Sequence, residues 1–347
     1  MLSKTSLNDR IFFIDNLATM LNAGLSLSLA LRTLIGETKH KTMRRAIQDI
    51  EYTVDNGNQL SDGLKDHPEV FSPLFISVVR VGEASGTLAK VLTRLAEIAK
   101  KDRSLRSKVI NALIYPSIVF IAMIAIVAVL MTYVFPQLIE IFRDVEVELP
   151  LQTRILIGTV DFFQLYGFYA GIAFVILVMV LFSAKRIRSV HRFYHHVLLR
   201  TPLIGRVARE LALTRILGNL QMLMISGVPI VQAFTLGSKT AGNLVYEDAL
   251  VDISRKLEMG NPLHAAFAER PKLFPSITVT MAKVGEETGK LDEILGKLRS
   301  FYEQRVENVF ANLSTIIEPV LLIVIGVMVG FIAVSVIMPI YDLAQAF

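Results

Sequence analysis

The chain repeats itself. Adding 203 to the number of any of the first 144 residues lands on an equivalent residue near the end of the 347-residue sequence, and no gap is needed to hold the register. Asn16-Leu17 returns as Asn219-Leu220, Gly24 as Gly227, Gly57-Asn58-Gln59-Leu60 as Gly260-Asn261-Pro262-Leu263, and Phe71 as Phe274. The block Val81-Gly82-Glu83-Ala84-Ser85-Gly86-Thr87-Leu88 returns as Val284-Gly285-Glu286-Glu287-Thr288-Gly289-Lys290-Leu291, and Pro116 and Pro136 return as Pro319 and Pro339. A constant register over such a length means two copies of one folding unit, each a polar part followed by a very apolar part.

With 53% apolar residues and a mean hydropathy of +0.52, the sequence is too apolar for a purely soluble chain, and the excess sits in three runs. They are Val109 to Phe135, about Leu165 to Phe182, and Leu313 to Met338. Each meets the roughly 20 residues needed to cross about 30 Å of hydrocarbon as a helix. The expected organisation is a first cytoplasmic bundle (1–108), a transmembrane helix (109–135), a short outer loop (136–164), a second span that has no partner at the repeat offset (165–183), a second cytoplasmic bundle (184–311), a third span (312–338) and an outer tail (339–347).

Lys and Arg flank the spans on one side only. Arg94, Lys100, Lys101, Arg103, Arg106 and Lys108 precede the first, Lys185, Arg186, Arg188, Arg192 and Arg200 follow the second, and Lys297, Arg299 and Arg305 precede the third. The 136–164 segment holds only Arg143 and Arg154 against Glu140, Asp144, Glu146, Glu148 and Asp161. Basic residues stay cytoplasmic, so the N-terminus is expected inside and the C-terminus outside. Met1 to Arg10 is too polar for a signal peptide. The net charge of +5 clusters beside the membrane segments, which points to lipid headgroups and away from nucleic acid. The absence of cysteine excludes disulfides, thiolate metal sites and cysteine nucleophiles.

Within residues 1–108 apolar residues recur at three- and four-residue spacing. Ile11, Ile14, Leu17, Ala18 and Leu21 form one stripe, ended by Gly24 as a C-terminal cap; Pro229, after Gly227-Val228, suits the first turn of a helix. Further helices are predicted at about 26–35, 40–55, 59–66, 72–82 and from Thr87 onward, giving a bundle of about six. From Thr87 to Phe135 the one breaker is Pro116, so the last helix should run unbroken from the bundle into the membrane, roughly 70 Å long. The second copy repeats this from Gly289 to Met338.

Little in the sequence suggests chemistry. Gly285 to Lys290 has three residues between its glycines instead of four, and Leu291 stands where a phosphate loop needs Ser or Thr; Gly82 to Thr87 lacks the lysine too. A helix-turn-helix corner is the better reading, with Glu83 and Glu286 capping the following helix or facing a partner. His191, His195 and His196 have metal-compatible spacing but lie among Arg188, Arg192 and Arg200, as a membrane-surface stripe does. Asp161 and Gln164 sit at the outer edge of the second span. Glu318, whose counterpart is Tyr115, lies inside the third run, where a carboxylate costs about 2–3 kcal/mol. It either pairs structurally or relays protons, and no deeper ionisable residue continues a path. Pro116, Pro136, Pro319 and Pro339 should kink or end their helices. Gly326 and Gly330 suit close helix contact. No catalytic constellation emerges: the expectation is a machine part, not an enzyme, with no cofactor and no metal. A transporter or proton channel would rest on Glu318 and Asp161, and an ATP-driven enzyme only on the defective glycine motif.

Asn219 to Ala233, Val284 to Leu295 and Glu318 to Tyr341, with Tyr115-Pro116, Phe135-Pro136, the Glu148-Leu149-Pro150 corner and both Gly-Glu-x-x-Gly blocks, resemble the duplicated signature of the inner-membrane platform proteins of type IV pili and type II secretion systems. The resemblance implies an all-α membrane protein with two cytoplasmic helical bundles and three transmembrane helices. It implies contacts with a hexameric assembly ATPase, with pilin or pseudopilin subunits and with inner-membrane assembly proteins, and a homo-oligomer. Coupling residues would be Gly82, Glu83, Gly86, Gly285, Glu286 and Gly289. Membrane residues would be Pro116, Pro136, Glu318, Pro319, Gly326, Gly330 and Pro339. Many relatives carry some tens of residues before the first bundle, whereas here the repeat starts within about ten of Met1. The metal credited to some relatives near the acidic corner is not carried over, because Ala89 stands in the place of Asp292. Pilus and secretion system remain open at this level.

Overall fold

The computed structural model describes residues 5–137, 151–184 and 204–346, with residues 139, 194, 197, 199 and 201. Among them no strand occurs, as the periodicity predicts. The first copy contributes α1 (Leu7–Asn22), α2 (Leu27–Glu37), α3 (Lys41–Asp55), α4 (Leu60–Lys65), α5 (Pro73–Ala84) and α6 (Leu88–Val129). After α7 (Leu151–Ala184), the second copy contributes α8 (Ile204–Ile225), α9 (Ile230–Ser238), α10 (Leu244–Glu258), α11 (Leu263–Ala268), α12 (Ser276–Thr288) and α13 (Leu291–Ala346). The repeat is carried into structure without slippage: α10 and α11 match α3 and α4 at both ends under the 203-residue offset.

Local chemistry sets these boundaries. Ser6 opens α1 with a capping box, its hydroxyl accepting from the Asp9 N–H while the Asp9 carboxylate accepts from the Ser6 N–H. Each copy then ends helices on left-handed glycines at Gly24, Gly57 and Gly86, repeated as Gly227, Gly260 and Gly289, with φ between +68° and +86°. The next N–H in each case reaches back to close the turn, for example Leu25 N to Met20 O and Val228 N to Leu223 O. Such a turn costs an L-residue strain that glycine avoids. Pro229 stands one position earlier than its sequence context suggests, at the extended N-cap before α9.

Two compact units result. One combines Met1–Ser107 with Arg192–Glu307, the other Lys108–His191 with Asn308–Phe347. In the first, the expected α1 stripe is buried at Ile11, Ile14, Leu17 and Ala18. The cores of the two copies merge, Leu31, Ile47 and Val78 belonging to the same cluster as Leu220, Leu250 and Leu295. Burying each such side chain contributes about 1.5–3 kcal/mol, so the two polar parts stabilise one another as one body. Their junction is made where α5 touches α8 and α9 and where the Arg299 guanidinium of α13 donates to Asp102 of α6 at 2.7 Å. Arg299 is buried and Asp102 half-exposed. Burial pushes the Asp102 carboxyl upward, against the pull of Arg299 and Arg215.

The second unit holds the apolar runs. A helix extends unbroken from Leu88 to Gln137, and only 6% of its apolar window is buried, whereas the core helix of a soluble protein would be mostly covered. Pro116 lies inside α6 and Pro319 and Pro339 inside α13, so the helical backbone runs on past each of these rings. At Pro136 the accommodation is visible as a π-turn over Leu130–Val134, in which the Phe135 N–H reaches Leu130 O. Pro136 lacks the N–H that a regular turn would use and its ring crowds the carbonyl four residues back, and widening the preceding turn relieves both. α7 begins at Leu151, well before the apolar run at Leu165. Phe135, Ile139 and Val160 form a small core here, with Ile332 packed against it.

Removing Asp102 leaves Arg299 buried with Glu303 no nearer than 4.0 Å. Asp102→Ala should therefore lower stability by about 1–3 kcal/mol, while Lys100→Ala, which breaks the exposed Lys100–Asp15 pair, should cost about 1 kcal/mol or less. Denaturant midpoints of the two variants in detergent check this order.

Candidate functional site at the two glycine-glutamate corners

The Gly-Glu-x-x-Gly blocks form the corners where a short helix hands over to the long one. In the first copy Ser85 closes α5, Gly86 turns at φ +69°, Gly86 N–H donates to Glu83 O at 3.1 Å and Thr87 N–H to Gly82 O at 2.8 Å. In the second copy Gly289 at φ +68° and Lys290 make the same pair of bonds to Glu286 O and Gly285 O. Gly82 and Gly285 have another purpose. A Cβ on Gly82 would stand 3.1 Å from Val91 Cβ, and one on Gly285 3.1 Å from Leu291 Cα, so these glycines let the consecutive helices touch.

The glutamates cap, but not the helix expected. Glu83 accepts from the backbone N–H groups of Leu60 and Ser61, the second at 2.9 Å. Glu286 accepts from those of Leu263 and His264, the second at 3.1 Å, and also meets His264 Nδ1 at 2.6 Å. These are the N-termini of α4 and α11, whose N-cap residues Gln59 and Pro262 supply no side-chain bond. A six-residue helix whose first N–H groups lack a local acceptor is marginal, and a carboxylate brought 22–23 residues along the chain supplies both hydrogen bonds and charge at the positive helix end. The far end of the same helix is tied down as well, by His67 Nε2 to Asp49 at 3.3 Å in the first copy and Arg270 to Asp252 at 3.0 Å in the second. Arg270, with Lys256 behind it, holds the Asp252 carboxyl below the ordinary carboxylate range.

The structure thus brings each trio, Gly82-Glu83-Gly86 and Gly285-Glu286-Gly289, into one corner. The membrane candidates Pro116, Pro136, Gly326 and Gly330 belong to the other unit, with Glu318, Pro319 and Pro339 on the α13 backbone. Among the described residues no atom stands within 4 Å of a Cβ built at Gly326 or Gly330. The roles expected of the Glu318 carboxylate, of His191, His195 and His196, and of the Glu148-Leu149-Pro150 corner lie outside the described residues. Sequence reasoning missed the Asp102–Arg299 junction and the amides that Glu83 and Glu286 serve. The signal for the latter was a short helix opened by Gln59 or Pro262, neither a good N-cap.

Glu286→Ala should expose the α11 amides and speed hydrogen exchange at Leu263 and His264, with a loss of about 1–3 kcal/mol in local stability; Glu83→Ala should do the same at Leu60 and Ser61. Because the Asp252 pKa is lowered in the fold, its contribution is present above the unfolded carboxylate value of about 4 and lost as pH falls through the lowered one. Asp252→Asn should therefore weaken the protein at neutral pH and leave it unchanged at the acid end of a pH–stability profile.

The comparison with known families falls on the same architecture. The family model for type II secretion system protein F matches twice, over residues 13–136 and 216–339, each bound of the second match 203 residues beyond the first. The type IV pilus assembly protein PilC of Thermus thermophilus is 36% identical over 341 residues, 97% of this chain and 83% of the relative. The PilC of Myxococcus xanthus is 35% identical over 97% of this chain and 81% of its own length. The type II secretion system protein F of Aeromonas hydrophila is 31% identical over 94% of this chain and 84% of its own. With two matches in the register of its own repeat, the chain belongs to the type II secretion system protein F family.

Proposed function

We propose that the chain is the inner-membrane platform of a type IV pilus machine. The carrying observation is that the duplicated helical unit seen in the fold is the unit the family model matches twice. Pilus assembly is favoured over secretion because the relatives at 36% and 35% identity carry pilus-assembly names, against 31% for the secretion protein.

In this reading the polar unit is cytoplasmic and three helices cross the membrane: the Leu88–Gln137 helix over 109–135, α7 over 165–183 and α13 over 312–338, with the N-terminus inside and the C-terminus in the periplasm. The exposed apolar side chains Ile121, Met179 and Leu322, one from each run, support it, as does the one-sided distribution of Lys and Arg. The chain itself transmits; it does not catalyse. A cytoplasmic hexameric ATPase engages the polar unit, and pilin subunits meet the apolar helices together with inner-membrane assembly proteins and lipid. Gly82, Glu83 and Gly86, with Gly285, Glu286 and Gly289, are the coupling residues of this reading, at the corners where α5 hands over to α6 and α12 to α13. At 1.5 Å per residue the 50 residues of Leu88–Gln137 make a lever about 75 Å long.

Deleting the gene should abolish surface filaments while export across the inner membrane continues, and the tagged protein purified from its native membrane should bring down a hexameric ATPase and pilin. Pseudopilin in place of pilin would assign it to secretion. Recovery alone, with filaments intact in the deletion strain, would overturn the platform reading.

A further inference from the structure

The two copies have the same fold but not the same surroundings. In the first copy one face of α5, made by Leu74, Ser77, Val78 and Val81 at positions i, i+3, i+4 and i+7, is covered: Leu74 is 6% exposed and Val78 0%. The second copy covers it at both ends, at Leu74 and at Val81. α5 touches α8 and α9, Leu74 lines a pocket with Asn219 and Met222, and the space above Gly227 is occupied by Val81. The equivalent face of α12 is Ile277, Thr280, Met281 and Val284. There Ile277 and Val284 are both 41% exposed.

The receiving surface is asymmetric in the same sense. In the second copy Met222 and Val228 are 3% and 5% exposed. Their counterparts in the first copy are Thr19, exposed, and Leu25, half-buried. Gly24 and Gly227 share the same φ of +86° and the same pair of turn bonds. Yet nothing lies within 4 Å of a Cβ built on Gly24. Each chain therefore has one docking contact made internally, and one donor face and one acceptor face left over.

We propose that the α12 face of one chain docks on the α1–α2 turn of a second copy of the same chain, repeating between molecules the contact that α5 makes within one. The occupant is specified by the internal contact: the acceptor for this helix face is already built once per chain, and the first copy presents its backbone again. Such a contact is heterologous, so chains join head to tail in a ring or a row. It is the weaker of the two contacts, since its electrostatic part is not repeated. Asp102 corresponds to Arg305, which Glu210 engages at 3.0 Å, and Arg299 corresponds to Ala96. The inference rests on the repeat geometry and stands apart from the platform reading.

The chain has no cysteine, so single substitutions report cleanly. Full-length Ile277→Cys and Thr19→Cys chains carrying different tags would be expressed together and oxidised in membrane vesicles. A reducible species with both tags is expected, at least ten-fold above that from Tyr52→Cys with Thr19→Cys, Tyr52 being 70% exposed and off both faces. Adding Val284→Glu to the first chain should return the yield to that background. A Leu74→Cys/Met222→Cys chain, whose residues line one pocket, should still close its internal bond with Val284→Glu present, which separates docking from folding. A yield equal to the Tyr52 control, a yield unmoved by Val284→Glu, or cross-linking of Ile277→Cys only to a different polypeptide would each overturn the proposal.

Discussion

The approach of α5 to α6, and of α12 to α13, is limited by the hydrogen atom that stands in for a side chain at Gly82 and Gly285. A methyl group at either would press on the next helix at about the distance where real contacts cease, 3.1 Å from Val91 Cβ or from Leu291 Cα. Much follows from that closeness. The turn that joins the helices must be tight, which requires the left-handed residue at Gly86 and Gly289. A tight turn leaves Glu83 and Glu286 on the last turn of their helices, where the negative end of the peptide dipoles disfavours a carboxylate. The conflict is resolved across the bundle, because those carboxylates face the positive ends of α4 and α11. One motif thus positions the long helix and completes a short one.

Duplication gave two equal folds and unequal chemistry. The second copy buries Glu210, bonded at one oxygen by Arg305 and Arg206, where the first has Leu7. It buries Arg299 where the first has Ala96, and from there Arg299 reaches across to Asp102. A buried guanidinium is costly unless paired, so the junction between copies has one permitted register, whereas the apolar contact of α5 with α8 and α9 alone would tolerate sliding. The copies also differ in sequence along this helix, Leu74, Phe75 and Val79 of α5 standing where α12 has Ile277, Thr278 and Ala282. At one of these sites the change is chemically legible, since Thr278 Oγ1 pairs with Tyr302 Oη at 2.7 Å and Phe75 could not.

The helices of the polar parts were readable because period and punctuation agree there. The predicted starts at about 26, 40, 59, 72 and 87 fall within a residue or so of α2 through α6, all but α3, which His40 caps, marked by Ser, Gly or Pro chemistry that acts over a few bonds. What was not readable acts over long sequence distances. Nothing local to Glu83 says that its partners are amides 22–23 residues earlier, and nothing local to Arg299 names Asp102, 197 residues away. The start of α7 was also missed, because residues 151–164 are polar enough to read as loop and are held helical by continuity with the apolar run that follows. Pro116, Pro319 and Pro339 were expected to kink or end their helices, and the helical backbone continues past each of them.

The long helices raise a last point about where stiffness is needed. α6 and α13 start in the corners and carry exposed apolar side chains, with Ile121 65% and Leu322 65% exposed. In hydrocarbon every backbone group must be satisfied within the helix, and a break is expensive. The first copy nevertheless keeps a π-turn at Leu130–Val134, and the second copy, with Pro339 in the equivalent place, stays regular through the corresponding turn. The same proline therefore does not suffice to widen a turn. The difference is local: Phe135 packs into the small core with Ile139 and Val160, and α7 lies against the π segment. Among the described residues the widened turn is the one that touches α7, the helix with no counterpart in the repeat.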